Sequence, residues 1–171
     1  MDLEEQMLSL KFGRREALGE IYRLSKRAVY LSAFAVLRNK QDAEDVTQDA
    51  FVRVCEQIGR YKPKGTPLGW ICAIVKNLAR TAIKKRKRFV PLESAEELAA
   101  EPLTDSSGIL ELAAKVLNEK ELAVVLLKTN GDLDHKQIAD ITKTTYATVR
   151  WQYHSAIEKL KKFIEKENIV L

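Results

Sequence analysis

The sequence is poor in glycine, proline and cysteine. Seven glycines and four prolines in 171 residues are too few for a fold of many short strands and tight turns. Its two cysteines, Cys55 and Cys72, can form neither a disulfide framework nor a four-ligand zinc site by themselves, and their apolar surroundings predict buried free thiols. No apolar run approaches the roughly 18–20 residues of a membrane span. The first residues contain no apolar signal segment, so we expect a cytoplasmic protein without a membrane anchor.

Charge is distributed unevenly along the chain. The net charge of +5 divides into +9 over residues 1–88, −5 over residues 89–110 and +1 over residues 111–171. The middle stretch contains no lysine or arginine but includes Pro91 and Pro102, a composition typical of a linker. The sequence therefore predicts an all-α protein with two small helical lobes, residues 1–88 and 111–171, joined by a flexible acidic linker.

The first lobe contains a helix with a polar outer face. Apolar residues recur at steps of three and four in residues 15–37, 42–58 and 68–88, which predicts three helices. We expect Asn39 to end the first and Asp42 to cap the second. The second helix would expose three polar side chains on one face: Asp45, Gln48 and Asp49. Taken alone, this face is explained by solvation.

A run of cations ends the third predicted helix. A loop at residues 61–67, marked by Pro63, Gly65 and Pro67, precedes this helix. Its last residues are Lys84, Lys85, Arg86, Lys87 and Arg88. Cations suit a helix C-terminus, but five in succession repel one another, and a bound polyanion relieves that repulsion. The run therefore favours a nucleic-acid partner over a purely structural role.

The second lobe contains a predicted helix-turn-helix. A helix over residues 110–128 is expected first. Asp134 and Gln137 then have the spacing of a capping box, and Thr145 can cap a following helix. Two short helices joined by a turn of three residues are typical of a helix-turn-helix, although a plain helical hairpin has the same periodicity. If the second helix enters the major groove, Arg150 can bond guanine and Gln152 can bond adenine.

Three stretches of sequence together resemble one family. They are Asp42-Ala-Glu-Asp-Val-Thr-Gln-Asp-Ala-Phe51; Gly65-Thr66 through Trp70-Ile71 to Asn77 with the basic run; and Leu117–Lys162 with Gln137-Ile-Ala139 and Thr148-Val-Arg150. The whole chain resembles the bacterial extracytoplasmic-function (ECF) sigma factors, which are promoter-recognition subunits of RNA polymerase. The first two stretches are similar to sigma region two and the third to region four.

The resemblance implies a role for each set of side chains. Asp45, Gln48 and Asp49 would bind core RNA polymerase. Residues that would read and help open the −10 promoter element are Tyr61, Lys76, Asn77, Arg80, Lys84, Lys85, Arg86, Lys87 and Arg88. Residues that would read the −35 element are Thr145, Thr148, Arg150, Trp151, Gln152 and His154. Tyr61 would offer an aromatic wall to an unstacked base, whereas Trp70 is expected in the core. Promoter DNA and core polymerase are the implied partners, and an anti-sigma factor is a third, because such proteins often hold family members inactive.

Some positions depart from the family pattern. The family usually has Arg or Lys where this chain has Gln152 and Ser155, often Pro at Asn118, and Asp at Thr81. Two cations are thereby missing from the helix that would meet DNA, so we expect weaker phosphate contacts there.

Two other classes of function compete with this one. A stand-alone helix-turn-helix regulator is the alternative, and it predicts duplex binding without polymerase. An enzyme, such as a metal-dependent phosphoesterase using Asp42, Asp45 and Asp49, would need a second set of ligands, and the sequence offers none. We therefore expect no catalysis, metal or cofactor.

Overall fold

Every regular element in the described part of the chain is a helix. A computed structural model describes residues 2–63, 66–89 and 107–167, so residues 90–106, most of the predicted linker, lie outside it. The α-helices are α1 (Leu3–Lys11), α2 (Ala17–Leu37), α3 (Lys40–Gln57), α4 (Pro67–Phe89), α5 (Ser107–Val116), α6 (Glu119–Thr129), α7 (His135–Thr142) and α8 (Tyr146–Lys166), with a 3₁₀ turn at Ile58–Arg60. The predicted all-α class is confirmed. Helix α5 begins inside the range predicted as linker.

The helix ends follow local side-chain chemistry. Asp134 and Gln137 form the predicted capping box of α7, and Thr145 caps α8 by accepting a hydrogen bond from the Thr148 N–H at 3.1 Å. The prediction for α3 was wrong by three residues: Asn39 is its N-cap and accepts a hydrogen bond from the Asp42 N–H at 2.9 Å. An amide oxygen three residues earlier in the chain satisfies the free N–H, so the helix begins sooner.

The helix predicted over residues 110–128 is wrong, because two helices occupy that range. The break lies between Val116 and Glu119, where Asn118 begins α6. Asn118 and Glu121 form a capping box, in which each side chain accepts a hydrogen bond from the other residue's N–H. Helix α1 was also missed.

Glu121 is a buried carboxylate with two structural tasks. It is 3% exposed, and besides completing the capping box it accepts a hydrogen bond from Lys159 Nζ of α8 at 2.5 Å. The same side chain thus caps the start of α6 and joins α6 to α8. A charge at such depth is stabilised only where partners satisfy it.

Replacing this carboxylate is expected to weaken the second lobe. Glu121→Ala should lower the free energy of unfolding by about 1–2 kcal/mol, because the cap is lost together with the ion pair to half-exposed Lys159. Urea denaturation measures the change. Glu158→Ala is the matched control: its 3.6 Å pair with Lys161 is about two-thirds exposed, so a change under about 0.5 kcal/mol is expected. Equal effects of the two variants would contradict the assigned role.

The two lobes pack directly against each other. Helices α1–α4 surround a core that includes Met7, Phe34 and Ile71. Helix α6 is buried on all sides from Glu121 to Leu127, because α2 covers one side and α7 and α8 cover others. Helix α4 also contacts α7.

The two cysteines differ in environment. Cys72 is buried as predicted, and burial raises the pKa of its thiol to about 11. Cys55 is exposed, so the prediction of a buried thiol was wrong there. Its neighbours Val52 and Glu56 are exposed too, because this side of α3 faces away from the core.

Candidate nucleic-acid interface

One face of α3 is free of contacts with the core. Asp45, Gln48 and Asp49 are all exposed, as the spacing predicted. Val52, seven residues after Asp45, is 58% exposed and falls on the same face, because seven residues make almost two helical turns. Sequence reasoning missed Val52, although its spacing from Asp45 was a usable signal. The face therefore combines carboxylates with an apolar side chain.

A groove separates this face from the end of α4. Its volume is about 450 Å³. Carboxylates line one wall and cations the other: Asp42, Asp45 and Asp49 from α3, and Lys85, Arg86 and Lys87 from α4. Arg86 spans the groove and contacts Asp42 at 3.0 Å. Opposite charges thus meet at the rim of the predicted polymerase-binding face.

The outer face of α4 is basic and accessible. Asn77 and Arg80 are exposed, as are all five members of the basic run, residues 84–88. Arg80 lies 3.6 Å from Glu119 of α6. The remaining cations continue along the helix beyond the contacts with the second lobe. A polyanion can therefore approach the C-terminal half of α4 from solvent.

Tyr61 does not belong to this surface. The ring is 1% exposed and packs edge-on against Trp70 with 5.3 Å between centroids. Its hydroxyl donates a hydrogen bond to Glu4 at 2.6 Å, and burial raises the pKa of this hydroxyl well above its usual range. The structure contradicts the expectation that Tyr61 forms a wall for an unstacked base, because Glu4 of α1 and Trp70 hold it in the core.

Lys76 is half-buried between the lobes. Its Nζ donates to the Ile141 carbonyl of α7 at 3.5 Å, and burial lowers the pKa of its ammonium group. Beside it is a cleft of about 270 Å³, also lined by Arg80, Thr148 and Gln152. The cleft thus brings two residues predicted for the −10 element beside two predicted for the −35 element.

Helix α8 presents its other candidate residues to solvent. Arg150, Trp151 and His154 are exposed, and Trp151 reaches 67%. The hydroxyls of Thr145 and Thr148 lie 2.8 Å apart at the helix start. The α8 candidates therefore divide between an open face and the interlobe cleft.

Arg38 joins the lobes at the end of α2. Its backbone is left-handed, with φ of 54°, and its guanidinium donates to the Ala114 carbonyl and, at 2.9 Å, to the Leu117 carbonyl. These carbonyls end α5, where the negative pole of a helix favours a cation. Lys40 adds a contact of 3.3 Å with Glu111. Sequence reasoning missed Arg38, since nothing local marks its distant partners.

Known proteins are similar to this chain in sequence and in fold. The sequence model of the family Sigma-70 region 2 matches residues 21–89, a range that includes the α3 face and the basic run. Similarity extends over nearly the whole chain to the ECF RNA polymerase sigma factor SigW of Bacillus subtilis (strain 168), with 27% identity over 95% of this chain and 96% of that protein. This chain is an ECF sigma factor. It acts as a specificity subunit of RNA polymerase in transcription initiation.

One more relative by sequence and two solved structures are also similar to this sigma factor. SigE of Mycolicibacterium smegmatis is 28% identical over 87% of this chain and 62% of its own length. Among solved structures, CnrH in complex with the cytosolic domain of CnrY has a TM-score of 0.71 and 18% identity, covering 96% of this chain and 99% of that one. The sigma factor RpoE bound to the anti-sigma factor NepR from Bartonella quintana has a TM-score of 0.64 and 17% identity, covering 86% and 96%. These structures share the fold.

The described residues of this sigma factor contain neither a candidate metal-binding cluster nor a membrane-spanning helix. Residues 2–63, 66–89 and 107–167 contain no group of three or more His, Cys, Asp or Glu side chains placed to hold a metal ion. Within the same ranges, no helix has both the length and the apolar character that a bilayer crossing requires.

Proposed function

We propose that each lobe of this sigma factor has its own target on the polymerase–promoter complex. The lobe of residues 1–88 binds core polymerase and the −10 element, and the lobe of residues 111–171 binds the −35 element. Residues 89–110 connect them. The carrying observation is that α3 and α4 of one lobe expose two chemically distinct surfaces, one acidic with the apolar Val52 at its end and one basic.

The α3 face binds core polymerase. Asp45, Gln48 and Asp49 supply charge and hydrogen-bond acceptors, and Val52 supplies an apolar contact at 58% exposure. An interface with an apolar centre and a charged rim gains affinity from burial and orientation from charge. Arg86, held at Asp42, keeps the basic run beside this face, so polymerase and DNA can be bound together.

Helix α4 binds the −10 region. Asn77, Arg80 and the basic run of residues 84–88 form its accessible surface. Cations there release counterions from the DNA backbone, and an amide such as Asn77 can bond a base edge. Lys76 joins this surface only after the second lobe moves, because Ile141 and its helix cover it now.

Helix α8 binds the −35 region as the second helix of a helix-turn-helix. Arg150 and His154 are exposed beside Trp151, while Gln152 and Thr148 line the interlobe cleft. All five can face one DNA groove only when the lobes are apart. The arrangement described here is therefore a closed form, and the promoter-bound form is open.

Regulation and location follow from the same proposal. One structural relative, CnrH, is bound to the cytosolic domain of CnrY, and another, RpoE, is bound to the anti-sigma factor NepR. We assign an anti-sigma factor to this chain as a partner. The protein acts in the bacterial cytoplasm, where core polymerase and DNA are. It contributes binding energy and promoter melting, with no catalysis of its own.

Transcript mapping tests the proposal. The purified protein is added to bacterial core RNA polymerase on fragmented DNA from its own source, and the 5′ ends of the transcripts are sequenced. We expect new starts that share two short upstream boxes. Tight duplex binding without polymerase, and no new starts, would favour the stand-alone regulator and overturn the proposal.

A further inference from the structure

Trp151 occupies the outermost position of α8. The helix packs on the core through Val149 and Ala156, both 0% exposed. Trp151 follows Val149 by two residues, which turns its side chain about 200° around the helix axis, opposite the core. Its ring is 67% exposed. If α8 enters the major groove, this ring is at the centre of the surface that faces the bases.

The surroundings of the ring suit DNA. Arg150 and His154 flank it and Ala147 leaves space beside it, together forming a shallow hollow with Tyr146. Arg150 and His154 can reach phosphates or base edges on either side. The ring itself has one donor, the indole N–H, and is otherwise apolar. A guanidinium group and an imidazole beside an apolar ring complement a groove that is anionic at its edges and locally apolar.

Only one base presents an apolar group in the major groove. The edges of guanine, cytosine and adenine show donors and acceptors there, whereas thymine adds a 5-methyl group. A tryptophan pressed against the polar edges would leave them desolvated and unpaired, at a free-energy cost. Against a methyl group it buries apolar surface on both sides. The chemistry therefore selects thymine.

We propose that Trp151 is a specificity-determining residue that reads the 5-methyl group of a thymine in the upstream promoter box. This inference rests on the proposed function of α8. It also accounts for Gln152 and Ser155, since apolar contact supplies affinity in the first part of α8, where residues 146–158 contain Arg150 and no other lysine or arginine. The occupant of the exposed face is duplex DNA, and the ring discriminates thymine from the other bases.

Removing one methyl group at a time from the DNA tests this assignment. Holoenzyme, formed from core polymerase and this sigma factor, is bound to a promoter fragment found by transcript mapping. Each thymine of the upstream box is replaced in turn by deoxyuridine, which lacks only the methyl group. At one or two positions we expect about fourfold weaker binding, the effect of losing one methyl group that the complex buries. Trp151→Ser should bind thymine and deoxyuridine fragments equally, and Trp151→Leu should keep part of the preference.

Several results would overturn the inference. They are full discrimination by Trp151→Ser, no deoxyuridine effect at any upstream position in the unchanged protein, and starts that share only the downstream box. Weaker binding of Trp151→Ser to core polymerase, with thymine discrimination intact, would assign the ring to a protein contact instead. The proposed function fails separately, through the absence of new starts with any core polymerase.

Discussion

Reversing two charges on α3 should separate this sigma factor from core polymerase. The double variant Asp45→Arg and Asp49→Arg is expected to lower affinity by ~100-fold or more, because like charges opposed across an interface cost several kcal/mol. Both side chains are exposed, and Asp45 accepts a long hydrogen bond of 3.4 Å from Gln41. Little of the fold therefore depends on them. Fluorescence anisotropy of the labelled protein with core polymerase measures the dissociation constant.

The control must match the change in net charge. Glu16→Arg with Glu165→Arg makes the same change at exposed positions before α2 and near the end of α8, and it should bind core polymerase as the unchanged protein does. Thermal melting confirms that each variant is folded. An uncharged variant, Val52→Ser, should weaken binding without changing the melting temperature, because it removes the exposed apolar contact. Unchanged affinity in both the double variant and Val52→Ser would contradict the role of this face.

Local patterns predicted the polar faces because those faces need no distant information. The exposure of Asp45, Gln48 and Asp49 follows from apolar residues at steps of three and four, which fix the inner side of α3. The caps at Asp134 and Thr145 depend on residues three positions away. Such features are decided within one or two turns of helix, so the sequence is sufficient for them.

The predictions failed at positions whose surroundings are formed by residues that are distant in the sequence. Tyr61 follows a short 3₁₀ turn and precedes Pro63, and it was expected to be exposed. It is buried because Glu4 bonds its hydroxyl and Lys11 donates to its carbonyl at 2.6 Å, both from a helix that was not predicted. The break before α6 was hidden because Leu117 continues the apolar pattern and is itself buried.

One feature of the sequence indicates that the lobes pack against each other. Helix α6 runs Leu122-Ala-Val-Val-Leu-Leu127, apolar on every side, and such a helix is covered all round. One small lobe of three other helices cannot cover it, and α2 of the other lobe supplies the missing side. Arg38 and Lys40 make the polar contacts that orient this packing, and the sequence shows no comparable pattern at these residues.

Removing the Arg38 side chain should shift the protein toward the open form. Arg38→Gly eliminates two charge-assisted hydrogen bonds to the end of α5, each worth about 1.5–3 kcal/mol. Their sum corresponds to a change of ~100-fold or more in the ratio of open to closed molecules. Glycine is the suitable replacement because φ at this position is 54°, which glycine adopts without strain. The end of α2 is therefore kept while the contact between lobes is lost.

Energy transfer between dyes on the two lobes measures this shift. One dye is placed on Cys55, which is exposed, and the other on a cysteine that replaces exposed Lys166 at the end of α8, while buried Cys72 stays unlabelled. Arg38→Gly should lower the transfer, and the free protein should then bind promoter DNA more tightly, because Lys76 becomes accessible and Arg80 loses its contact with Glu119. Arg23→Ala is the control: it removes an exposed arginine whose ion pair is with Glu20 of its own helix, so transfer should not change. Unchanged transfer in Arg38→Gly, together with unchanged DNA affinity, would mean that apolar packing between α2 and α6 alone fixes the closed form.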